Sequence, residues 1–230
     1  MIVYGRNPVR EALRGRRSVA TIWATASAAR EPWIEQAGVP VVTQTTQEIT
    51  LRAGSEGHQG VCAEVSAYRY AAAEELLSAG PGVVVALDQV QDPQNLGSIC
   101  RSAECAGALG VVLPERRSVE VTAAVCKASA GAVEHLALAQ VRNLTDFLLS
   151  AKNAGFWCYG AAGEAGLDYR AVDLSGPVLL VMGSEGRGLR PRVAANCDAL
   201  ISLPLRGRID SLSVGAAAAV LLYAACAAGV

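Results

Sequence analysis

Apolar and polar positions alternate in two different rhythms along the chain. From residue 83 onward, short runs rich in Val, Leu and Ala have the length and character of buried strands: 83–87, 109–113, 136–141, 156–161, 178–182 and 199–203. Segments with helical periodicity lie between most of these runs, at 96–106, 121–132, 144–154 and 191–196. This alternation predicts an α/β domain over residues 83–230, with a mostly parallel sheet that is covered on both faces.

The first 69 residues predict a smaller α/β unit. Asn7 and Pro8 open a predicted helix, because proline is favoured in the first helical turn. Strands are predicted at 19–25, 39–43 and 60–65, and helices at 28–37 and 47–53. The alanine-rich segment 70–82 ends in Gly-Pro-Gly and is predicted to be a linker, within which 71–79 could form a short helix.

The C-terminal segment 212–230 is almost entirely apolar, which raises the question of a membrane span. Its many alanines make it weakly hydrophobic, and no basic flank anchors it. A helix that is apolar on all sides is better explained by burial against the sheet, with a second subunit as a candidate for its other side. We therefore expect a buried helix and no membrane association.

Composition predicts a cytoplasmic protein without a metal site. The 230 residues are 52% hydrophobic, which is enough for a substantial core. The seven cysteines include no C-x-x-C pair and are typical of reduced, buried thiols rather than of disulfides or zinc ligands. Only His58 and His135 could contribute to a histidine-based metal centre. The segment 1–17 is polar and rich in arginine, without the apolar core of a secretory signal.

The net charge of −1 does not indicate a nucleic-acid-binding protein, but basic residues cluster near the N-terminus. Such a cluster can contact phosphates even when the whole protein is nearly neutral. Charge alone favours the alternative, a helix face that is merely solvated. A single acid, Glu11, accompanies the arginines of this cluster, which are Arg6, Arg10, Arg14, Arg16 and Arg17.

The stretch 178–189, VLLVMGSEGRGL, predicts a buried strand that opens into a glycine loop at Gly183. Such a loop exposes backbone N–H and C=O groups at the carboxyl edge of a sheet, where α/β proteins bind ligands. The loop carries one carboxylate, Glu185. A plain tight turn explains this stretch equally well when it is taken alone.

Two further segments add polar groups to the same picture. In the segment 88–107, Asn95 is suited to cap a helix starting at residue 96, and Arg101 follows on that helix. Together they could hold a phosphate or a developing oxyanion. In the segment 201–215, Ser211 is a candidate N-cap for the last helix. Read separately, each of these residues is explained by capping or by a surface charge.

Several enzyme classes are excluded by motifs that the chain lacks. It contains no G-x-x-x-x-G-K-[ST] sequence, which excludes a P-loop. The glycine loop follows the fifth apolar run of the sheet rather than the first, which argues against dinucleotide dehydrogenases and Rossmann-like methyltransferases. A Ser–His–Asp hydrolase would need a G-x-S-x-G motif and a late histidine, and neither occurs.

Taken together, the three segments resemble the signature motifs of the SpoU-type (TrmH-like) ribose 2′-O-methyltransferases of the SPOUT superfamily. D-x-V-x-D-P-x-N-x-G-x-x-x-R matches residues 88–101, and V-x-G-S/A-E-G-x-G matches 181–188. The third motif, I-P-M-x-G-x-x-x-S-L-N-V, is matched by 203–214, and K-A-S-A-G at 127–131 resembles another family segment. The opening YGRNPVREAL and the run HQGVCAEV at 58–65 resemble a small N-terminal RNA-binding domain of this family.

The resemblance implies a C-terminal trefoil knot, S-adenosylmethionine as cofactor, and a homodimer with its active site at the subunit interface. Cofactor-binding positions carried over from the motifs are Ala161, Gly183, Glu185, Ile201, Leu203, Ser211 and Leu212. The implied catalytic positions are Asn95, Arg101, Glu185, Ser211 and Ser213. The implied RNA-binding positions are Arg6, Asn7, Arg10, His58 and Gln59.

One position departs from the family pattern, since Ser213 stands where the motif usually has asparagine. The expected reaction is methylation of a ribose 2′-hydroxyl in RNA, with a guanosine of 23S rRNA as the first candidate. Alternatives are a tRNA, a resistance-type rRNA site, or an RNA-binding module that has lost turnover. Arg101 is expected to clamp a phosphate or the forming alkoxide rather than act as the base, because a guanidinium stays protonated.

Overall fold

The computed structural model describes residues 1–228, which build two sheets surrounded by helices. A four-stranded mixed sheet lies within residues 2–65, and a six-stranded sheet lies within residues 83–201. All neighbouring strands of the larger sheet are parallel, which confirms the predicted α/β class and its parallel sheet.

The N-terminal unit contains four strands and three helices. Its strands are β1 (Ile2–Tyr4), β2 (Val19–Ala24), β3 (Val41–Thr43) and β4 (Val61–Val65), and its helices are α1 (Arg6–Arg14), α2 (Pro32–Glu35) and α3 (Thr46–Ala53). The strand order is β1-β4-β2-β3, with β4 antiparallel to β1 and β2, and β3 parallel to β2.

The helix predicted at 28–37 forms only in pieces. A 3₁₀ turn at Ala28–Arg30 is followed by α2, and Glu31 between them is extended. The break arises because Pro32 disfavours a helical conformation in the residue before it.

The larger sheet has the order β10-β8-β9-β5-β6-β7. Its strands are β5 (Val83–Leu87), β6 (Gly110–Pro114), β7 (Leu138–Val141), β8 (Trp157–Ala161), β9 (Val178–Met182) and β10 (Ala199–Ile201). Every residue of β5, β6 and β9 is buried. In β5, Val85 and Leu87 face one hydrophobic core while Val84 and Ala86 face another, so both faces of the sheet are covered.

Six helices accompany this sheet within the described residues. They are α4 (Ala73–Ser78), α5 (Pro93–Ala106), α6 (Ala123–Ala128), α7 (Leu144–Asn153), α8 (Pro191–Ala194) and α9 (Val214–Ala228). Helix α6 is shorter than the predicted 121–132, because Ala130 and Gly131 adopt left-handed φ angles of 52° and 91°. Helix α9 buries Leu221 and Leu222 and leaves Val220 and Tyr223 exposed. Residues 229 and 230 of the predicted C-terminal helix lie outside the described residues.

The described part of the chain, residues 1–228, has no helix with both the length and the apolar character that crossing a membrane requires. The segment 70–82, predicted as a linker, packs along β7. The Ala71 N–H donates to the Leu138 carbonyl at 2.8 Å, and α4 buries Ala73 and Leu76. The division of the chain at residues 69 and 83 stays a prediction.

The two units meet across an interface with a buried ion pair at its centre. Arg17 of the N-terminal unit donates from Nε to the Glu134 carboxylate at 2.9 Å, and a second guanidinium nitrogen contacts the other carboxylate oxygen. Their side chains are 6% and 1% exposed. Burial alone would lower the pKa of Arg17, but the hydrogen bond and charge of Glu134 raise it above its usual value. Apolar side chains of both units continue into one core around this pair, among them Val3, Val9 and Val133.

Tyr68 also contacts residues of both units at this interface. Its hydroxyl donates to the carbonyls of Val133 and Leu136 at 3.3 and 3.5 Å, and the Arg17 guanidinium lies 5.6 Å from its ring centre. The ion pair therefore sits in an enclosed setting, where an unmatched charge is costly.

We predict that Glu134→Ala lowers the free energy of unfolding by about 3–5 kcal/mol, because it leaves the Arg17 charge buried without a partner. The double variant Arg17→Met/Glu134→Leu should recover most of that loss, since no charge stays buried. Urea unfolding followed by tryptophan fluorescence measures both effects. Arg14→Ala, which breaks an exposed pair with Glu11, is the control and should change stability little. A double variant as unstable as Glu134→Ala would contradict this assignment.

Candidate functional site

The glycine loop that follows β9 turns back on itself. Ser184 and Gly188 exchange two backbone hydrogen bonds, with N···O distances of 3.1 and 2.9 Å. A Cβ atom on Gly183 would lie 2.2 Å from the carbonyl carbon of Gly188, so a side chain at position 183 is incompatible with this turn. Gly186 and Gly188 adopt φ angles of 75° and 65°, which favour glycine. The loop fold therefore depends on glycine at these positions.

Asp88 at the end of β5 anchors both ends of this loop. Its buried carboxylate accepts the Arg190 N–H at 2.8 Å and the Arg190 Nε–H at 2.7 Å. Its own N–H donates to the Met182 carbonyl at 2.7 Å. The first motif thus holds the second in place. The sequence places Asp88 at the end of a strand but does not indicate this role, because no local pattern relates it to Arg190, 102 residues away.

Residues 201–213 form a second wall opposite the glycine loop. The Ser202 N–H donates to the Leu167 carbonyl at 2.8 Å, and the Tyr169 N–H donates to the Ser202 carbonyl at 3.0 Å. Asp168 lies between these two contacts, and its hydrogen bond with Arg170 lowers the pKa of the Asp168 carboxyl to about 2. The segment 162–169 therefore fixes the start of the second wall, a role that the sequence did not indicate.

Ser213, rather than the predicted Ser211, caps the last helix. Its hydroxyl accepts the Ala216 N–H at 3.2 Å, and its carbonyl accepts the Ala217 N–H at 3.0 Å. Helix α9 begins two residues later than a Ser211 cap would require, because 211 and 212 continue the extended loop. Serine and asparagine are comparable N-caps, so Ser213 retains this function of the usual asparagine.

These walls enclose a cavity of about 540 Å³ at the carboxyl ends of β8, β9 and β10. Backbone and small side chains dominate its rim, while Leu203, Leu212 and Leu221 supply apolar surface. Glu185 and Asp210 are exposed carboxylates at its mouth. The cavity brings together eight of the predicted site residues: Ala161, Gly183, Glu185, Ile201, Leu203, Ser211, Leu212 and Ser213.

Asn95 and Arg101 are not among the residues that line this cavity in the described chain. The predicted Asn95 cap is wrong, because α5 begins at Pro93 and Asp92 accepts the Gln94 N–H as its N-cap. Asn95 lies inside the first turn, facing Gly215 of α9. Arg101 lies two turns further along and is exposed.

The predicted RNA-binding residues lie where the N-terminal unit approaches α6. Gln59 accepts hydrogen bonds from the Arg6 N–H at 3.2 Å and from the Lys127 ammonium at 3.0 Å. Arg6 forms an ion pair with Glu31, and Arg10 donates to Asn7 at 3.3 Å.

His58 has a different role from the other predicted RNA-binding residues. It is only 3% exposed, its Nδ1 accepts the Gly60 N–H, and its Nε2 lies 3.0 Å from the Thr50 hydroxyl. Both ring nitrogens are therefore occupied within the protein. We correct the direct RNA contact predicted for His58 to a role in supporting the loop that carries Gln59.

The thiols of Cys158 and Cys197 lie outside the cavity, in the second hydrophobic core. Burial raises the pKa values of Cys158 and Cys197 to about 12, so both stay protonated at neutral pH. Among residues 1–228, no group of three or more His, Cys, Asp or Glu side chains is placed to hold a metal ion.

Comparisons with known proteins agree with this architecture. A chain from Bacillus subtilis, described as a putative TrmH family tRNA/rRNA methyltransferase (YacO), is 38% identical over 233 residues, covering 96% of this chain and 93% of that protein. The 23S rRNA (guanosine-2′-O-)-methyltransferase RlmB of Xanthomonas axonopodis is 42% identical over 193 residues, covering 82% of this chain and 78% of that protein. The crystal structure of an AdoMet-bound rRNA methyltransferase from Sinorhizobium meliloti superposes with a TM-score of 0.82 at 29% identity, covering 97% of this chain and 85% of that chain.

Two family profiles match the two halves of the chain. Residues 2–71 match the RNA 2′-O ribose methyltransferase substrate-binding family. Residues 82–223 match the SpoU rRNA methylase family. The larger unit has the SPOUT fold expected for that family, and the predicted knot stays a prediction. By the match of residues 82–223 and by its similarity to the Bacillus subtilis relative, the chain belongs to the SpoU rRNA methylase family.

Proposed function

We propose that this protein transfers a methyl group from S-adenosylmethionine to a ribose 2′-hydroxyl in RNA. The observation that carries the proposal is a cavity that the second and third motifs line and whose glycine loop the first motif anchors. Asp88 of the first motif anchors the glycine loop of the second, and the third supplies the opposite wall. Family membership and the AdoMet-bound relative support the choice of cofactor.

The cavity suits this cofactor in shape and chemistry. The tight turn at Gly183 brings backbone groups of the glycine loop to the cavity wall, where they can contact a ligand. Leu203 and Leu212 offer apolar contacts, while the backbone and hydroxyl of Ser211 offer hydrogen bonds. The cofactor supplies an electrophilic methyl group on a sulfonium. Glu185 lies at the mouth of the cavity, where its carboxylate can interact with the positive charge of the sulfonium.

The chain's own contribution to transfer is positioning and electrostatic stabilisation. Arg101 presents a planar, positively charged fork that suits a phosphate or a forming alkoxide. The base that removes the 2′-hydroxyl proton is left unassigned, because a guanidinium has no free acceptor for a proton.

A homodimer would place Arg101 of one chain beside the cavity of the other. Arg101 lies on the exposed face of α5, which packs beside α9. Large apolar side chains are exposed nearby in the third motif and on α9: Leu205, Ile209, Leu212, Val220 and Tyr223. A surface of this kind marks an interaction site. We therefore propose that two chains associate through this surface and that Arg101 of each serves the cavity of the other.

The proposed substrate is 23S rRNA, at a guanosine. The relative from Xanthomonas axonopodis with that specificity supports this choice, while the relative from Bacillus subtilis leaves tRNA open. Ser213 retains the helix cap, which supports a working site rather than a module without turnover.

The direct test is methylation of unmodified 23S rRNA and of unmodified tRNA by the purified protein with radiolabelled S-adenosylmethionine. We expect label in 23S rRNA, resistant to alkaline hydrolysis at one nucleotide, because a 2′-O-methyl group blocks cleavage there. Label only in tRNA would contradict the proposed 23S rRNA substrate and identify tRNA as the substrate. Absence of transfer to either RNA, with cofactor binding intact, would contradict the proposed activity.

Arg101→Lys should reduce methyl transfer by roughly 100-fold, because lysine keeps the charge and loses the planar fork. S-adenosylmethionine affinity should stay within about twofold of wild type, because the role proposed for Arg101 is contact with the RNA rather than with the cofactor. Arg142→Lys, at another exposed arginine, is the control. Single-turnover rates and calorimetry measure the two quantities. Full activity of Arg101→Lys would refute the clamp role.

Mixed dimers test the sharing of the site between chains. Dimers that combine an Arg101→Ala chain with a Gly183→Ala chain should regain up to about half of the wild-type activity, because one of the two cavities is then complete. No recovery in verified mixed dimers would show that Arg101 does not act across the interface.

A further inference from the structure

Lys127 lies in the K-A-S-A-G segment, which the proposed function leaves without a role. The chain has 20 basic residues, of which only Lys127 and Lys152 are lysines. Lys152 forms an ion pair with Asp198 at 2.8 Å. Lys127 forms no ion pair among residues 1–228, and its ammonium instead donates to the uncharged amide oxygen of Gln59 at 3.0 Å.

The N-terminal unit encloses the stem of this lysine. A Cβ on Gly5 would lie 2.6 Å from the Lys127 nitrogen and 3.2 Å from its Cδ, and a Cβ on Gly57 would lie 4.0 Å from its Cε. Gly5 also has a left-handed φ of 98°, which favours glycine. Gly5 of one unit thus makes room for a lysine of the other, and Gly57 lies at ordinary contact distance from the same side chain.

The charge of Lys127 is incompletely compensated at this place. Burial lowers its pKa, because no carboxylate offsets the lost hydration. An ammonium has three donors, and one of them is used by Gln59. A nearby phosphate would supply both the missing charge and further acceptors.

Lys127 is also connected to the first motif. The next residue, Ala128, packs against Gly97, where a Cβ would lie 2.3 Å from that of Ala128. Gly97 follows Asn95 by two residues in α5. Helix α6 therefore links the N-terminal unit to the turn that carries a predicted catalytic residue.

We propose that Lys127 binds an RNA phosphate and orients the substrate beside the methyl-transfer site. The inference rests on the proposed function, and it assigns Gln59 and Gly5 to holding the ammonium in place. Lys127 is a positioning residue in this account, because it contacts the RNA backbone rather than the reacting atoms.

Affinity measurements with unmodified 23S rRNA transcript across a salt series test this role. Lys127→Met should weaken binding about tenfold at low salt and reduce the slope of log affinity against log salt concentration by about 0.7–0.9, the value of one phosphate contact. Lys127→Arg should restore the slope, because it keeps the charge. Lys152→Met is the matched control and should leave the slope unchanged.

Lysine acetylation provides a second readout on the unaltered protein. Mass spectrometry should show that 23S rRNA protects Lys127 several-fold while Lys152 is labelled at the same rate with and without RNA. S-adenosylmethionine binding should be unaffected by Lys127→Met. A Lys127→Met variant that only unfolds more readily, with an unchanged salt slope, would reduce the residue to a contact between the units and overturn the inference.

The two proposals fail in different ways. Wild-type protein that does not methylate RNA contradicts the proposed function. Wild-type protein that methylates 23S rRNA, together with an unchanged salt slope for Lys127→Met or equal protection of both lysines, overturns only the role of Lys127.

Discussion

The close approach of the backbone at Gly183 and Gly188 is the constraint on which the cavity depends. Strand β9 ends in the middle of the sheet, and the chain must reverse within six residues to leave its carboxyl edge open. In this reversal the backbone of Gly188 occupies the place where a Cβ on Gly183 would lie, so no side chain fits at position 183. The same reversal exposes the backbone of the loop toward the cavity. The glycines that permit the fold and the surface that would bind a ligand are therefore inseparable.

Two ion pairs then hold the glycine loop and the two units in position. Asp88 ties Met182 before the loop to Arg190 after it, so the loop cannot relax without exposing or unpairing a buried carboxylate. Arg17 and Glu134 do the same between the two units, across 117 residues of sequence. The N-terminal unit is thereby held at one orientation. An RNA contact made through Gln59 of this unit, or through Lys127 of α6 beside it, has a defined relation to the cavity.

The sequence predicted the elements well where a single physical signal dominated. Runs such as 83–87 and 178–182 are apolar throughout because both faces of the sheet are covered, and they match β5 and β9 residue for residue. The three residues of β1 are too few to give an alternating pattern, and this strand was missed. The predicted starts of two helices were wrong, because several residues near each start can form an N-cap. The observed caps are Asp92 rather than Asn95 and Ser213 rather than Ser211.

The sequence motifs predicted one part of the site, the residues around the cavity, but not the whole of it. All the predicted cofactor-binding residues line one cavity, but Asn95 and Arg101 lie on α5 outside it. His58 was misjudged because burial cannot be seen from a sequence run that also carries an exposed glutamine. The pairing of Arg17 with Glu134 was invisible for a different reason, since no local pattern relates two charges so far apart. The clustered arginines of residues 6–17 thus include one that serves the fold.

The most direct measurement is a calorimetric titration of Gly183→Ala and Gly163→Ala with S-adenosylmethionine. Both glycines line the cavity, but a Cβ at Gly163 meets nothing within 4 Å, whereas a Cβ at Gly183 collides with the backbone of Gly188. Circular dichroism and urea unfolding establish that both variants are folded. The account predicts affinity within about twofold of wild type for Gly163→Ala and a loss of roughly 100-fold or more for Gly183→Ala. Equal affinities in two folded variants would contradict it.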